Sequence, residues 1–246
     1  MIVAPATAPG RMLQNMRSAL ARGLPEVAGC RRHDITLSVA GGGPSLADTM
    51  GQLTGVIAAI NGSQKFLTEH GILPNVCGIL DAGAHMPDVI TADRRVRYYV
   101  ASICDPGVFD KLRDCDVRLW HPTSVTGGDG LLELRGGDWL QIGGGSTMGL
   151  RWVNLGYVMG FRTFHLHGLD SSFRDGQTHA YQDRERGGDI LTVAGRKTRA
   201  NFLEQVSDFF AMLDLFGRDA PDARFEVFGD GLLQDQWAAY DGRAAA

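Results

Sequence analysis

Two glycine-rich segments stand between a predicted strand and a predicted helix, a position where α/β proteins bind phosphate groups. They are Gly41-Gly42-Gly43-Pro44-Ser45-Leu46 and Gly143-Gly144-Gly145-Ser146-Thr147. Glycines let the backbone approach a ligand closely, and the N–H groups and dipole at a helix start attract an anion. The first segment lacks the Walker A and GxGxxG patterns, so a turn in which Ser45 caps a helix is the alternative. Two such segments in one chain suggest a ligand with two polar ends, such as a nucleotide and an acceptor.

Two aspartates, Asp81 and Asp170, each follow an apolar strand. A carboxylate in this position can bind Mg²⁺, accept a hydrogen bond from a ribose, or act as a base. Hydrogen bonding within the loop is the alternative role for each of them. His165 and His167 alternate on one strand and share a face, but no third ligand stands at a spacing typical of a metal site, so packed histidines are expected there.

The polar segment 171–189 has no helical or strand period, and its length is typical of a lid over a site or of a disordered loop. Within this segment His179 is the candidate general acid or base, because the ordinary pKa of histidine lies near neutral pH. Arg184 and, farther along the chain, Arg196 are candidate clamps for phosphates or a carboxylate. A solvated, charged loop is the alternative interpretation.

Predicted strands alternate with predicted helices almost throughout the chain. This pattern indicates an α/β, Rossmann-like fold with a mostly parallel sheet and helices on both faces. Ligands of such sheets bind beyond the carboxyl ends of the strands, where the glycine-rich segments and aspartates lie. In detail, Ser63 is expected to cap a helix and 131–134 to form a hairpin arm. We predict an N-terminal extension with a short helix (1–34), a single domain with a lid at about 171–189 (35–232) and a C-terminal tail (233–246).

The composition is that of a globular protein. Of 246 residues, 44% are hydrophobic and 21% are charged, which excludes a disordered chain. The net charge of −4 gives no electrostatic basis for binding nucleic acid or an anionic membrane. No apolar run reaches the ~18 residues that span a bilayer, and the first ten residues lack the features of a signal peptide. The four cysteines form no CxxC pair, so we expect reduced thiols and a cytoplasmic location; the oligomeric state stays open, with a homo-oligomer as one alternative.

The residues around both glycine-rich segments resemble the MptE-like family. The first stretch of resemblance contains Gly41–Leu46, then Ile60-Asn61-Gly62-Ser63, then Gly71-Ile72-Leu73-Pro74-Asn75 leading to Asp81. The second contains Gly143–Gly149, Leu155–Phe161 and His167–Asp170. This family includes archaeal 6-hydroxymethyl-dihydropterin diphosphokinases and shares its domain with the Maf flagellin glycosylation factors. Bacterial CMP-sialic-acid sialyltransferases are similar in the same two stretches.

The resemblance implies a nucleotide-binding transferase. In the diphosphokinase branch, ATP with Mg²⁺ would give a pyrophosphoryl group to a hydroxymethyl, pterin-like acceptor, and the short chain favours this branch. The alternatives are a CMP-sugar glycosyltransferase and a nucleotide-binding module without catalysis. Under this transferase hypothesis His179 and Asp170 are the candidate catalytic residues, Asp81 and Asp170 are the candidate Mg²⁺ ligands, and Arg184 and Arg196 are the candidate charge clamps. The nucleotide-contacting residues would be Gly41, Gly42, Gly43, Pro44, Ser45, Asn61, Asp81, Gly144, Gly145, Ser146 and Thr147.

Overall fold

A parallel sheet forms the centre of the protein in the computed structural model, which describes residues 7–123, 125, 127–182 and 188–244. In these ranges the strands are β1 (Thr36–Ala40), β2 (Val56–Ile60), β3 (Val76–Ile79), β4 (Arg97–Ala101), β5 (Asp116–Pro122), β6 (Gln141–Ile142), β7 (Thr163–His167), β8 (Leu191–Val193), β9 (Arg196–Thr198) and β10 (Arg224–Phe228). Eight of them form one sheet in the order β10-β7-β1-β2-β3-β4-β5-β6, with every neighbouring pair parallel. This arrangement confirms the predicted α/β, Rossmann-like fold.

Helices connect and flank these strands. They are α1 (Pro9–Leu20), α2 (Leu46–Thr49), α3 (Ser63–Glu69), α4 (Met86–Val89), α5 (Pro106–Lys111), α6 (Gly128–Arg135), α7 (Met148–Val158), α8 (Ala200–Asp219) and α9 (Leu232–Ala244), with a 3₁₀ turn at Met50–Gln52. Where the chain is described, none of the helices combines the length and the apolar character that crossing a bilayer would need.

The strand order places a reversal of winding beside β1. From β1 the chain adds β2 to β6 on one side, and then returns to add β7 and β10 on the other side. The central strands are almost continuously apolar because both faces of the sheet are covered, and Leu37 to Ala40 of β1 are all buried. A crevice at the carboxyl ends of β1 and β7 is the expected ligand position of such a sheet.

Helix α7 lies tightly on the sheet because small residues face it. The indole Nε1 of Trp152 donates a hydrogen bond of 3.2 Å to the carbonyl of Ala59. A Cβ atom on Gly156 would lie 2.5 Å from Leu37 Cδ2 and 3.0 Å from Phe164 Cε1, so only glycine fits between β1 and β7 at this point. The helix therefore holds its N-terminal end over the carboxyl edge of the sheet.

Two local predictions are wrong. Residues 131–134 belong to α6 rather than to a hairpin arm. The only buried leucine of that run is Leu132, so its apolar sequence reflects a surface helix and not strand alternation. Ser63 does not cap α3; its hydroxyl accepts the N–H of Ile60 and donates to the carbonyl of Ala40, which ties β1 to the end of β2.

Two features near the C-terminus were not expected. Strands β8 and β9 pair as an antiparallel hairpin outside the main sheet. Most of the segment expected as a tail belongs to α9, in which Leu232 and Leu233 are buried. The helix thus completes the core beside β10.

The packing of α7 can be tested with a pair of glycine substitutions. Gly156→Ala is expected to lower the free energy of unfolding by about 1–3 kcal/mol, because the added methyl group overlaps Leu37 and Phe164. Gly217→Ala, in α8 with no atom within 4 Å of the added carbon, is the matched control and should raise it by up to about 1 kcal/mol. Urea denaturation measures the free energy of unfolding of both variants. Equal effects of the two substitutions would contradict the close packing of α7 on the sheet.

Candidate active site

The first glycine-rich segment is joined to the loop that follows β7. The N–H of Gly41 donates to the carbonyl of His167, and the N–H of Gly43 donates to that of Gly168, both at 2.8 Å. A side chain on Gly41 would collide with the carbonyl of Gly168. The two strand ends therefore meet backbone to backbone, and this close approach explains why the segment needs glycine.

Asp170 binds the start of α2. Its Oδ2 accepts the N–H of Ser45 at 2.7 Å and its Oδ1 accepts the Ser45 hydroxyl. Asp170 is only 2% exposed, and this burial raises its pKa, against the opposing effect of the Ser45 hydrogen bonds. The Ser45 N–H, predicted to bind phosphate, is thus already bonded to a carboxylate of the protein, and Pro44 has no N–H to offer.

The second glycine-rich segment contains the same type of contact. The N–H of Ser146 donates to Asp208 Oδ2 of α8 at 2.7 Å. Gly144 and Gly145 have φ angles of 90° and 74°, which favour glycine. Thr147 precedes α7, and its Oγ1 is buried without a hydrogen-bond partner in the described part of the chain. Aspartates from distant positions therefore occupy the N–H groups of both serines in the segments predicted to bind anions.

His179 lies directly on the first glycine-rich segment. The N–H of Ala180 donates to the carbonyl of Gly42 at 2.9 Å. A Cβ atom on Gly42 would lie 2.6 Å from both His179 Cδ2 and Tyr181 Oη, and one on Gly62 would lie 2.9 Å from Tyr181 Cε2. We name residues 178–181 the lid contact. It covers the carboxyl ends of β1 and β2 and brings His179, Gly42 and Gly62 together.

Tyr181 is a site residue that sequence reasoning did not select. Its ring lies 5.3 Å from that of His179 and 6.0 Å from that of Phe66, measured between centroids. An aromatic residue two positions from the candidate histidine, in a mostly polar segment, was the available signal. Its packing against Gly42 and Gly62 could not be inferred, because it depends on contacts between distant parts of the chain.

Asn61 follows β2 in a strained conformation. Its φ of 47° is unusual for a residue other than glycine, although asparagine tolerates it better than most. Its N–H donates to the carbonyl of Gly78 at 3.2 Å. Its Oδ1 is buried and accepts no hydrogen bond from the described residues, so an acceptor is available beside the lid contact. Strain and an unused acceptor make Asn61 a candidate binding residue.

Asp81 and Asp170 do not come together. Asp81 follows β3 and Asp170 follows β7, three strand spacings apart, which corresponds to about 14 Å. A single Mg²⁺, which binds its ligands at about 2 Å, cannot contact both, so the predicted two-aspartate Mg²⁺ site is not formed. Asp81 Oδ1 accepts the N–H of Gly83 at 2.8 Å, and its Oδ2 lies 3.7 Å from His85 Nε2. No metal-binding group of three or more His, Cys, Asp or Glu side chains is found among the residues described.

Of the two arginines predicted to clamp a charged group, the structure describes only Arg196. Arg184 lies outside the described residues. Arg196 pairs with Asp230 at 2.5 Å and with Asp235 at 2.7 Å, and these hydrogen bonds raise its pKa. Its charge is therefore already compensated, and it joins the β8–β9 hairpin to α9 and the turn before it instead of facing a substrate.

With this geometry established, comparison with known proteins identifies the family. The family model described as 6-hydroxymethylpterin diphosphokinase MptE-like matches residues 10–176, more than half of the chain. The chain belongs to the MptE-like family. The match contains both glycine-rich segments, Asn61, Asp81 and Asp170, and ends shortly before the lid contact. None of the curated proteins compared with this chain matches it.

A solved structure with the same fold is that of a Maf glycosyltransferase from Magnetospirillum magneticum AMB-1. The sequences are 18% identical, and the TM-score is 0.65. The superposition covers 93% of this MptE-like chain and 38% of the glycosyltransferase chain. At this identity the likeness shows a shared fold.

His167 lies beneath the site as a buried, neutral histidine. It is 0% exposed and stacks on Phe228 with 4.3 Å between ring centroids. Neither ring nitrogen has a hydrogen-bond partner in the ranges that the structure describes. Burial, with a smaller contribution from His165, lowers its pKa to about 4. This agrees with the expectation that the two histidines are packed.

The lowered pKa of His167 predicts acid sensitivity. The unfolded chain binds a proton at this residue near pH 6.5 and the folded protein only near pH 4, so its contribution to stability is complete above pH 6.5 and is lost as the pH falls towards 4. The loss at pH 4.5 should be about 2–3 kcal/mol.

Urea denaturation of the unmodified protein and of His167→Gln at pH 7.5 and 4.5 measures this loss. The variant should lose less stability on acidification, and His165→Gln, which retains His167, should still show most of the loss. Equal pH dependence of stability in the unmodified protein and in His167→Gln would show that His167 is not the source of the acid sensitivity.

Proposed function

We propose that this MptE-like protein is a nucleotide-dependent transferase whose reaction centre lies under the lid contact. The supporting observation is that His179 lies against Gly42 at the carboxyl ends of β1 and β2. The candidate acid or base, His179, thus lies against the candidate nucleotide-binding segment, Gly41–Leu46. The carboxyl ends of the strands beside such a reversal of winding are the usual ligand position in doubly wound sheets.

Each residue of the site has a proposed role. His179 takes the proton of the acceptor hydroxyl, with its Nδ1 held 3.0 Å from Thr178 Oγ1. The Asn61 amide oxygen accepts a hydrogen bond from the nucleotide. Asp170 is a positioning residue that fixes Ser45 and the loop around Gly42, because both of its oxygens bind Ser45. The segment from Gly144 to Thr147 forms the opposite wall, at the start of α7.

The first candidate reaction is pyrophosphoryl transfer from ATP to a hydroxymethyl, pterin-like acceptor, in line with the family description. The acceptor oxygen would form a bond to the β-phosphorus of ATP, the bond from that phosphorus to the α,β-bridging oxygen would break, and AMP would leave. Asp81, partly exposed at the end of β3, would hold Mg²⁺ together with the phosphates, a common arrangement for this ion. Mg²⁺ would neutralise the phosphate charge.

The second candidate reaction is glycosyl transfer from a CMP-sugar. The separation of Asp81 and Asp170 favours it, because a reaction in which CMP leaves from the sugar does not require two carboxylates around a metal ion. The acceptor oxygen would bond to the anomeric carbon, and the bond from that carbon to the phosphate oxygen would break. His179 would have the same role in both reactions. If the protein binds a nucleotide but catalyses neither reaction, it is a nucleotide-binding module without catalysis.

Ligand-induced stabilisation distinguishes these alternatives. Melting temperatures are measured with ATP, GTP, CTP, CMP and CDP, each with Mg²⁺ or with EDTA. A true ligand should raise the melting temperature by about 5–10 °C at 100 times its Kd. Stabilisation by ATP only with Mg²⁺ supports the diphosphokinase reaction, and AMP release with 6-hydroxymethyl-7,8-dihydropterin then tests it. Stabilisation by CMP or CDP in EDTA supports glycosyl transfer, and the absence of any shift contradicts nucleotide binding.

The lid contact can be tested through Gly42. Gly42→Ala places a methyl group where His179 and Tyr181 lie, so turnover should fall by about tenfold or more while folding is retained. His179→Ala should lower turnover by about 100-fold or more, through loss of the base. Gly51→Ala, with no atom within 4 Å of the new carbon, is the matched control and should keep full turnover. AMP release, or CMP release from a CMP-sugar, is the readout, and normal turnover of both site variants would exclude this centre.

A further inference from the structure

Arg151 of α7 has a guanidinium group that the roles above do not use. Its Nη1 donates to the carbonyl of Ile142 at 2.6 Å and to Thr123 Oγ1 at 3.2 Å. Ile142 ends β6 and Thr123 follows β5, so the group lies at the same carboxyl edge of the sheet as the lid contact.

Arg151 has no direct counter-charge among the residues that the structure describes. In the described ranges no carboxylate oxygen lies within 4 Å of its guanidinium. The acid that acts on it over a longer distance is Asp208, whose Oδ2 already accepts the N–H of Ser146. Burial of this isolated charge lowers the pKa of Arg151. A partly buried cation without a counter-ion is unfavourable, so an anion that binds there relieves a cost already present in the fold.

The remaining guanidinium nitrogens have unused donors. Nε is buried and donates to none of the described residues. Nη2 makes no hydrogen bond to them either, and Arg151 as a whole is partly exposed. An arginine that Thr123 and Ile142 hold through Nη1, with Nε and Nη2 not bonded to the described residues, is pre-oriented for an oxyanion.

We propose that Arg151 and Thr123 form an oxyanion-binding site at the carboxyl ends of β5 and β6, which takes a phosphate or carboxylate group. The assignment of the bound phosphate or carboxylate group to the acceptor molecule rests on the proposed function. The nucleotide is assigned to β1 and β2, and β5 is three strand spacings from β2, about 14 Å. The site therefore selects an acceptor that carries its negative group well away from the reacting hydroxyl.

The test uses inorganic phosphate as the probe, with acetate as a carboxylate probe and sodium chloride at equal ionic strength as the reference. At 10 mM phosphate, the melting temperature of the unmodified protein should rise by about 3 °C for a Kd of about 1 mM. Arg151→Gln should abolish this rise. Arg97→Gln removes the same charge from an arginine already paired with Asp116 and should keep the rise. A rise with acetate and not phosphate would assign the site to carboxylates.

The possible results separate this site from the nucleotide site. A phosphate effect that persists in Arg151→Gln, or the absence of both probe effects in the unmodified protein, overturns the oxyanion site. Stabilisation by ATP or CMP, measured in phosphate-free buffer, should be equal in the unmodified protein and in Arg151→Gln. If no nucleotide raises the melting temperature of the unmodified protein or of Arg151→Gln, but phosphate still stabilises the unmodified protein, the proposed function is refuted and the oxyanion site stands.

Chemical labelling tests the site without a substitution. Phenylglyoxal modifies accessible arginines, and mass spectrometry of peptides reports the rate at each position. At 10 mM phosphate, modification of Arg151 should slow by about tenfold for the same Kd, while Arg97 should react at an unchanged rate. An unchanged rate at Arg151 would overturn the proposal even if Arg151→Gln failed to fold.

Discussion

The junction between the ends of β1 and β7 determines the geometry of the site. Gly41 and Gly43 bond to the backbone at the end of β7 and directly after it, and Asp170 binds Ser45 with both of its carboxylate oxygens. A buried carboxylate that loses such partners destabilises a protein strongly, so this pair of loops has one favourable arrangement. The carbonyl of Gly42 is thereby held in position for the lid contact. The positions of His179 and Tyr181 follow from this junction.

A second consequence concerns the electrostatic field of the site. Each glycine-rich segment places a helix start at the carboxyl edge, and such starts normally attract anions. Here Asp170 and Asp208 supply that negative charge from within the protein. Under the proposed function, selectivity for an anionic acceptor would then depend on side chains such as Arg151 rather than on the helix starts. The edge is therefore less positive than its glycine pattern alone would suggest.

Sequence reasoning was most successful where structure depends on neighbouring residues. Apolar runs bounded by glycine, asparagine or aspartate predicted the main strands, and their alternation with helices predicted the parallel sheet. It also placed the glycine-rich segments at the carboxyl edge of the sheet, because parallel strands all end at one edge. It could not show that Asp170 bonds to Ser45, since 125 positions separate them. The neutralisation of Arg196 by Asp230 and Asp235 is another contact between distant positions.

The errors have a common physical origin. The run at 131–134 has an apolar sequence but only one buried leucine, and burial depends on what packs against the run. Ser63 has the right residue type for a helix cap, but its hydroxyl is used between β1 and β2. Asp81 and Asp170 are equivalent by their position after a strand, and the strand order alone separates them. Local sequence therefore identified candidate residues, and topology decided which of them meet.

The bond between the N–H of Ala180 and the carbonyl of Gly42 joins two main-chain groups. Any residue except proline supplies the same N–H, so position 180 can change without loss of this bond. Gly42 has no such freedom, because His179 and Tyr181 fill the space beside it. Evolution can thus exchange the segment above the sheet nearly independently of the sheet itself. A segment held to the sheet in this way can vary at position 180 while its anchoring point on Gly42 stays fixed.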